Sequence, residues 1–103
     1  MYQPLPDYIT IKPSPISGLG LFATKPIKEG TFIGVILIEH YGKIIRTPLG
    51  GFGNHSDNPN CAKCKYIGYQ PDDGIQWNLF TKRDIEVGEE ITWTYTLYNV
   101  ENP

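Results

Sequence analysis

The chain has 103 residues, a length at which one domain with one core is the rule, and 40% hydrophobic with 19% charged residues excludes disorder by composition. A formal net charge of −2 and a pI near 5.6 exclude broad, charge-driven nucleic-acid binding, which needs a basic surface. The longest apolar stretch, "TFIGVILIEH", is too short to cross a membrane, and "MYQPLPDYITIK" lacks a signal-peptide pattern, so a soluble intracellular protein is expected.

In chain order, the predicted elements are nearly all strands. "DYITIK" alternates and ends at Pro13, "GLGLFAT" follows a turn, and "TFIGVILIE" is rich in β-branched residues with Gly34 as a candidate bulge. "YGKIIRT" reads as another short strand. "KYIGYQ" and "IQWNLFTK" flank Pro71, Asp72, Asp73 and Gly74, a strong hairpin signal. "EEITWTY" closes the pattern, with Ile91, Trp93 and Tyr95 on one face and Thr92 and Thr94 on the other. No segment shows a sustained helical period with caps; single turns are expected near Lys82 to Val87 or beyond Tyr98. Trp77 and Trp93 read as core.

Cys61 and Cys64 form C-x-x-C. Zinc needs two more ligands, and the only histidines are His40 and His55; a redox pair needs a βαβ context that is missing. The expectation is two ordinary thiols beside a turn, with no metal site and no disulfide.

Three local patterns carry chemistry. "SGLGLFA", residues 17–23, contains a G-x-G whose glycines permit close backbone approach, although alone it usually marks a turn. "NHSDNPN", residues 54–60, offers the Asn54 amide and both ring and backbone of His55, with Pro59 stiffening the return; alone it reads as an ordinary turn. "KRDIEVGEEITWTY", residues 82–95, runs through a Gly88 turn into a strand ending on the Tyr95 phenol, and a strand tyrosine is more often packing than catalysis.

In this order and spacing the three patterns resemble the SET-domain family of protein lysine methyltransferases, from about Ile9 to Tyr98. The resemblance implies a mostly β, SET-type fold of short curved strands and small sheets with a knot-like C-terminal crossing. It implies one minimal SET domain over residues 1–103, of the viral or microbial kind, with an amino-terminal segment at 9–39, a short insert at 40–50 and a carboxy-terminal segment at 51–98.

The resemblance also implies S-adenosylmethionine as cofactor, lying along Ser17, Gly18, Leu19 and Gly20. Asn54 would hold its amino-acid end, His55 would meet adenine largely through main chain, and Phe52 and Tyr98 would complete the site. Tyr95 matches the family's catalytic tyrosine. Tyr41, Phe52 and Tyr95 are the candidate lysine-channel residues; for Tyr41 and Tyr98 packing and function remain equal readings. Methyl transfer of this kind is a direct displacement, in which alignment contributes on the order of 7–11 kcal/mol. The substrate lysine, with a reference pKa of about 10.4, must arrive neutral, which an apolar channel and a nearby sulfonium both favour.

The implied partner is a lysine-bearing protein or histone tail, without direct nucleic-acid or membrane contact, in nucleus or cytoplasm according to host. Gly51 stands where the family commonly has an arginine, Thr94 where it often has an aspartate, and the insert is short, so a homodimer is the candidate to complete the channel. A catalytically silent SET-fold binding module remains the alternative, followed by a small interaction protein with coincidental motifs.

Overall fold

The computed structural model describes residues 5–67 and 74–94. They form two sheets of four strands each, with one short helix among them. The first sheet joins β1 (Ile9–Pro13), β2 (Leu19–Ala23), β8 (Glu90–Trp93) and β5 (Asn54–His55), in that spatial order. The second joins β4 (Lys43–Arg46), β3 (Phe32–His40), β7 (Ile75–Thr81) and β6 (Cys61–Ile67). This is the mostly β architecture that the residue pattern implied.

Local chemistry accounts for most of the second sheet. Opposite pairing of His40 with Lys43 leaves a two-residue hairpin loop, Tyr41–Gly42, with φ of 50° and 76°. Such loops need positive φ at both positions, which glycine accepts and tyrosine tolerates only when its neighbours hold it. The register of β3 against β7 shifts between Phe32 and Gly34, so the bulge expected at Gly34 is present. The β6–β7 pairing runs antiparallel from Cys61↔Thr81 to Ile67↔Ile75, as a hairpin requires; the expected turn at Pro71–Asp73 lies outside the described residues.

Two expectations need correcting. "PLGGF" forms helix α1 (Pro48–Phe52), where no helix was expected. Thr47 caps it by accepting the Gly50 N–H, and Pro48 occupies the first turn. The glycine pair makes this a poor intrinsic helix; what holds it is packing, because a Cβ on Gly50 would come within 1.9 Å of the Ile36 carbonyl oxygen. Cys61 does follow the 56–60 bend, but both cysteines belong to β6, with Cys61 buried and Cys64 exposed. Three residues apart on a strand they point to opposite faces about 10 Å apart, which precludes both a shared metal and a disulfide between them. Burial pushes the Cys61 thiol up to about 12.

The core gathers Ile9, Leu21, Ile27, Ile36, Leu79, Ile85, Ile91 and Trp93 from both sheets and the connections between them. Ile27 and Ile85 exchange backbone hydrogen bonds of 2.9 and 2.8 Å, tying two similar turns that pivot at Gly30 and Gly88. Trp93 is buried as expected, whereas Trp77 packs at the core margin, its Nε1 donating to Glu39 at 2.7 Å. Strand β8 is buried on both faces: Thr92, on the face opposite Ile91 and Trp93, is only 7% exposed. Among the described residues no helix is long and apolar enough to cross a membrane.

Candidate functional site

Strand β8 lies between two neighbours of opposite sense. It pairs antiparallel with β2 through Leu21↔Ile91 and Phe22↔Glu90, and parallel with β5 through Asn54↔Thr92 and His55↔Trp93. A parallel pair cannot be closed by a tight turn, so the chain between β5 and β8 must travel out through the second sheet and return. This crossing brings the Asn-His stretch beside the amino-terminal glycine loop.

Asn54 is the centre of the resulting cluster and is buried. Its Nδ2 donates to Glu90 Oε2 at 2.8 Å and lies 3.2 Å from the carbonyl oxygens of both Ser17 and Leu19. Every acceptor around this amide therefore sits at its nitrogen end. Oδ1 meets no donor among the described residues, and no buried side-chain polar atom among them lacks a partner, so Oδ1 is open to solvent. The group offered outward is an acceptor.

Glu90 binds the cluster together. Its carboxylate accepts from Asn54 and from Ser14 Oγ, at 2.9 Å to Oε1 and 2.8 Å to Oε2. Ser14 Oγ in turn accepts the Ile16 N–H at 2.9 Å, anchoring the β1–β2 loop. Gly20 makes room for this arrangement: a Cβ there would fall 2.2 Å from Glu90 Oε2 and 3.0 Å from Asn54 Nδ2. The space above Gly20 is thus filled by the protein's own carboxylate and amide. Lys12, paired across from Gly20, places its ammonium 5.1 Å from the Phe22 ring centre.

The return of the loop is pinned by Asn60, which is 3% exposed. Its Nδ2 donates to the Glu90 carbonyl at 2.7 Å and its Oδ1 accepts the Thr92 N–H at 3.0 Å. The Lys82 N–H donates to the Asn60 carbonyl at 2.8 Å, tying the same residue to the chain leaving β7. Neighbouring Glu89 is partly shielded from solvent, which alone would raise its pKa. Hydrogen bonds from the Glu86 N–H and from Arg83 and Asn60 outweigh this and hold it below the usual carboxylate value.

The predicted site residues fall into three groups. Ser17, Gly18, Leu19, Gly20, Asn54 and His55 come together at the junction of β2, β5 and β8. Ser17 and Gly18 are exposed, Leu19 is half-exposed, and His55 Nε2 lies 2.9 Å from Asp57 Oδ1. Phe52 ends α1, two residues before Asn54, and is 38% exposed. Tyr41 is not brought to this group: it sits at the β3–β4 hairpin tip of the other sheet, 76% exposed, with its ring edge-on to His40. Tyr95 and Tyr98 lie outside the described residues.

The approach to Tyr95 is nevertheless held from two sides. Thr94 Oγ1 donates to the Ser56 carbonyl at 3.2 Å, and Lys63 Nζ donates to the Thr94 carbonyl. Burial lowers the pKa of Lys63. Gly51 is exposed, with nothing within 4 Å of where a Cβ would stand. Sequence reasoning missed Ser14, Asn60 and Glu90. Asn60 and Glu90 lie inside the quoted motifs, but nothing in their local pattern separates a structural polar residue from a solvated one.

The sequence profile of the SET domain matches residues 38–96. The chain belongs to the SET-domain family. SET relatives include the histone-lysine N-methyltransferase, H3 lysine-36 specific, of Cryptococcus neoformans, 33% identical over 76 residues that make up 74% of this chain and 9% of that protein. The enzyme of the same description from Aspergillus oryzae is 34% identical over 71 residues, 69% of this chain and 7% of that protein. The chain thus spans less than a tenth of the length of these relatives.

Among solved SET structures, a candidate histone methyltransferase of Plasmodium falciparum superposes with a TM-score of 0.71 at 21% identity, covering 91% of this chain and 97% of that one. A Chaetomium thermophilum Polycomb Repressive Complex 2 chain gives 0.65 at 20% identity, covering 84% of this chain and 15% of that one. At such identity these structures speak for the SET fold alone.

Proposed function

We propose that this SET domain is an S-adenosylmethionine-dependent protein lysine N-methyltransferase. The carrying observation is the Asn54 cluster, which joins the glycine loop, the Asn-His stretch and the strand leading to Tyr95 in one place. Its composition fits the cofactor. S-adenosylmethionine presents an ammonium and a sulfonium, and the cluster presents an outward amide oxygen backed by a carboxylate. When bound, the cofactor supplies an electrophilic methyl group.

Ser17, Gly18, Leu19, Gly20, Asn54, His55, Phe52 and Tyr98 are proposed to hold it, and Tyr95 to orient the substrate amine. Thr94, the last described residue before Tyr95, is held through its carbonyl by Lys63 and through its hydroxyl by the Ser56 carbonyl. Tyr41 belongs to the proposed channel only if the hairpin tip is reached by substrate. The relatives' names make a histone H3 peptide containing lysine 36 the first substrate to try, with nuclear localisation following from such a target. A homodimer is part of the same reading, for which exposed Ile44 and Ile45 on edge strand β4 offer apolar surface.

Calorimetry with S-adenosylmethionine tests the site: saturable binding, weakened at least tenfold in a folded Asn54→Ala, is expected. Methyl transfer to the H3 peptide, abolished in Tyr95→Phe, then separates the enzyme from a binding module. Binding without transfer to any lysine-bearing protein would overturn the enzymatic reading. Sedimentation of the chain tests the dimer.

A further inference from the structure

We infer that Glu90 is a positioning residue that sets which end of the Asn54 amide faces the cofactor. The inference rests on the proposed cofactor site and adds a residue to it. A primary amide can rotate by half a turn at little intrinsic cost and then presents its NH2 instead of its oxygen. Here three acceptors surround the nitrogen end: the Glu90 carboxylate at 2.8 Å and the carbonyls of Ser17 and Leu19 at 3.2 Å each. Turning the amide over would set Oδ1 against all three oxygens, one of them a carboxylate oxygen. The carboxylate bond is the shortest of the three and is charge-assisted, so it dominates the preference.

Glu90 is itself held for this task. Ser14 Oγ donates to the carboxylate while its own oxygen accepts the Ile16 N–H, so the loop that bears Ser17 to Leu19 and the carboxylate are positioned together. Gly20 leaves the carboxylate the volume it occupies, since a Cβ would stand 2.2 Å from Oε2. The backbone of Glu90 is fixed from the other side, its carbonyl accepting from Asn60 at 2.7 Å. The consequence is an acceptor end, turned away from these three oxygens, that selects a ligand donor, such as an ammonium, over a ligand acceptor.

The experiment compares wild type, Glu90→Gln and Glu90→Ala by calorimetry with S-adenosylhomocysteine and with its analogue lacking the α-amino group. Wild type is expected to prefer the amino form at least tenfold. Glu90→Gln, which loses the charge and can present either an acceptor or an NH2 to Asn54, gives an intermediate ratio; Glu90→Ala reduces the ratio to within about threefold of unity. A folded Glu90→Ala with the wild-type ratio would overturn the inference. If the alanine variant does not fold, Glu90→Asp, which withdraws the oxygen by one methylene, takes its place with the same expected loss. The side-chain amide protons of Asn54, followed by NMR in ligand-free protein, give a separate reading. Their exchange is slow in wild type and accelerates in Glu90→Ala; unchanged exchange would overturn the inference. Failure of wild type to bind either ligand overturns the cofactor reading, while the amide measurement still decides the Glu90–Asn54 lock.

Discussion

Asn60 grips Thr92 as a neighbouring strand would, its Oδ1 accepting the Thr92 backbone N–H at 3.0 Å across 32 residues of sequence. The amide nitrogen completes the imitation by donating to the Glu90 carbonyl at 2.7 Å. One side chain thus satisfies a donor and an acceptor of buried β8. Asn60→Ala leaves both without partners, and a loss of about 2–4 kcal/mol is expected in urea unfolding. Asn60→Asp keeps an acceptor for Thr92 but sets an oxygen against the Glu90 carbonyl, and is expected to be no better than alanine.

Gly53 and Trp93 meet just as closely. A Cβ on Gly53 would stand 1.9 Å from Trp93 Cη2 and 2.1 Å from Cζ3, inside any tolerable contact. Gly53→Ala is expected to cost about 1–3 kcal/mol by overpacking. In a Trp93→Phe background, which shortens the ring, the same change should cost measurably less. A double-mutant cycle by thermal unfolding checks the coupling; additive effects would contradict it.

The Glu89 carboxylate, hydrogen-bonded to Arg83 and the Glu86 N–H, has a folded pKa below its unfolded value of about 4.3. A depressed carboxylate stabilises the fold above the unfolded pKa, and that contribution disappears as pH falls through the folded pKa. Glu89→Gln should therefore lower stability near pH 7 by up to about 1 kcal/mol, as expected for a largely surface pair. The difference from wild type should shrink below about pH 4. Urea unfolding of both proteins between pH 3 and pH 7, as approximate limits, measures this.

The two thiols should differ sharply in reactivity. Cys61 is buried with its pKa pushed up to about 12, while Cys64 is exposed. Since the thiolate is the reactive form, a maleimide at about pH 7.5 should label Cys64 alone in the folded protein, and both cysteines in urea. Peptide mapping by mass spectrometry reads the sites. Mild oxidation should yield no internal Cys61–Cys64 disulfide.

Much of the second sheet was legible because it is written locally. Alternation in "IQWNLFT", β-branched residues in "TFIGVILIE" and turn residues before Gly74 act over a few positions, and β3, β6 and β7 follow them. Helix α1 was not legible, because its glycine pair disfavours a helix and only the close seat of Gly50 on the Ile36 carbonyl favours it. The start of β6 was also missed: "CAKC" carries no strand alternation, and its pairing with β7 draws it into the sheet.

The candidate site divides in the same way. The motif residues themselves determined the family, and with it the expected roles of Asn54, His55 and the glycine loop, because their types and order are visible in one dimension. What each polar group faces was decided only by tertiary structure. Strand β5 has two residues and no periodicity, yet its parallel pairing with β8 brings Asn54 to Glu90 across 36 positions. Hydrogen bonds of that separation depend on where whole strands are placed. That placement comes from burying Ile91 and Trp93 in the shared core, which a local pattern cannot encode.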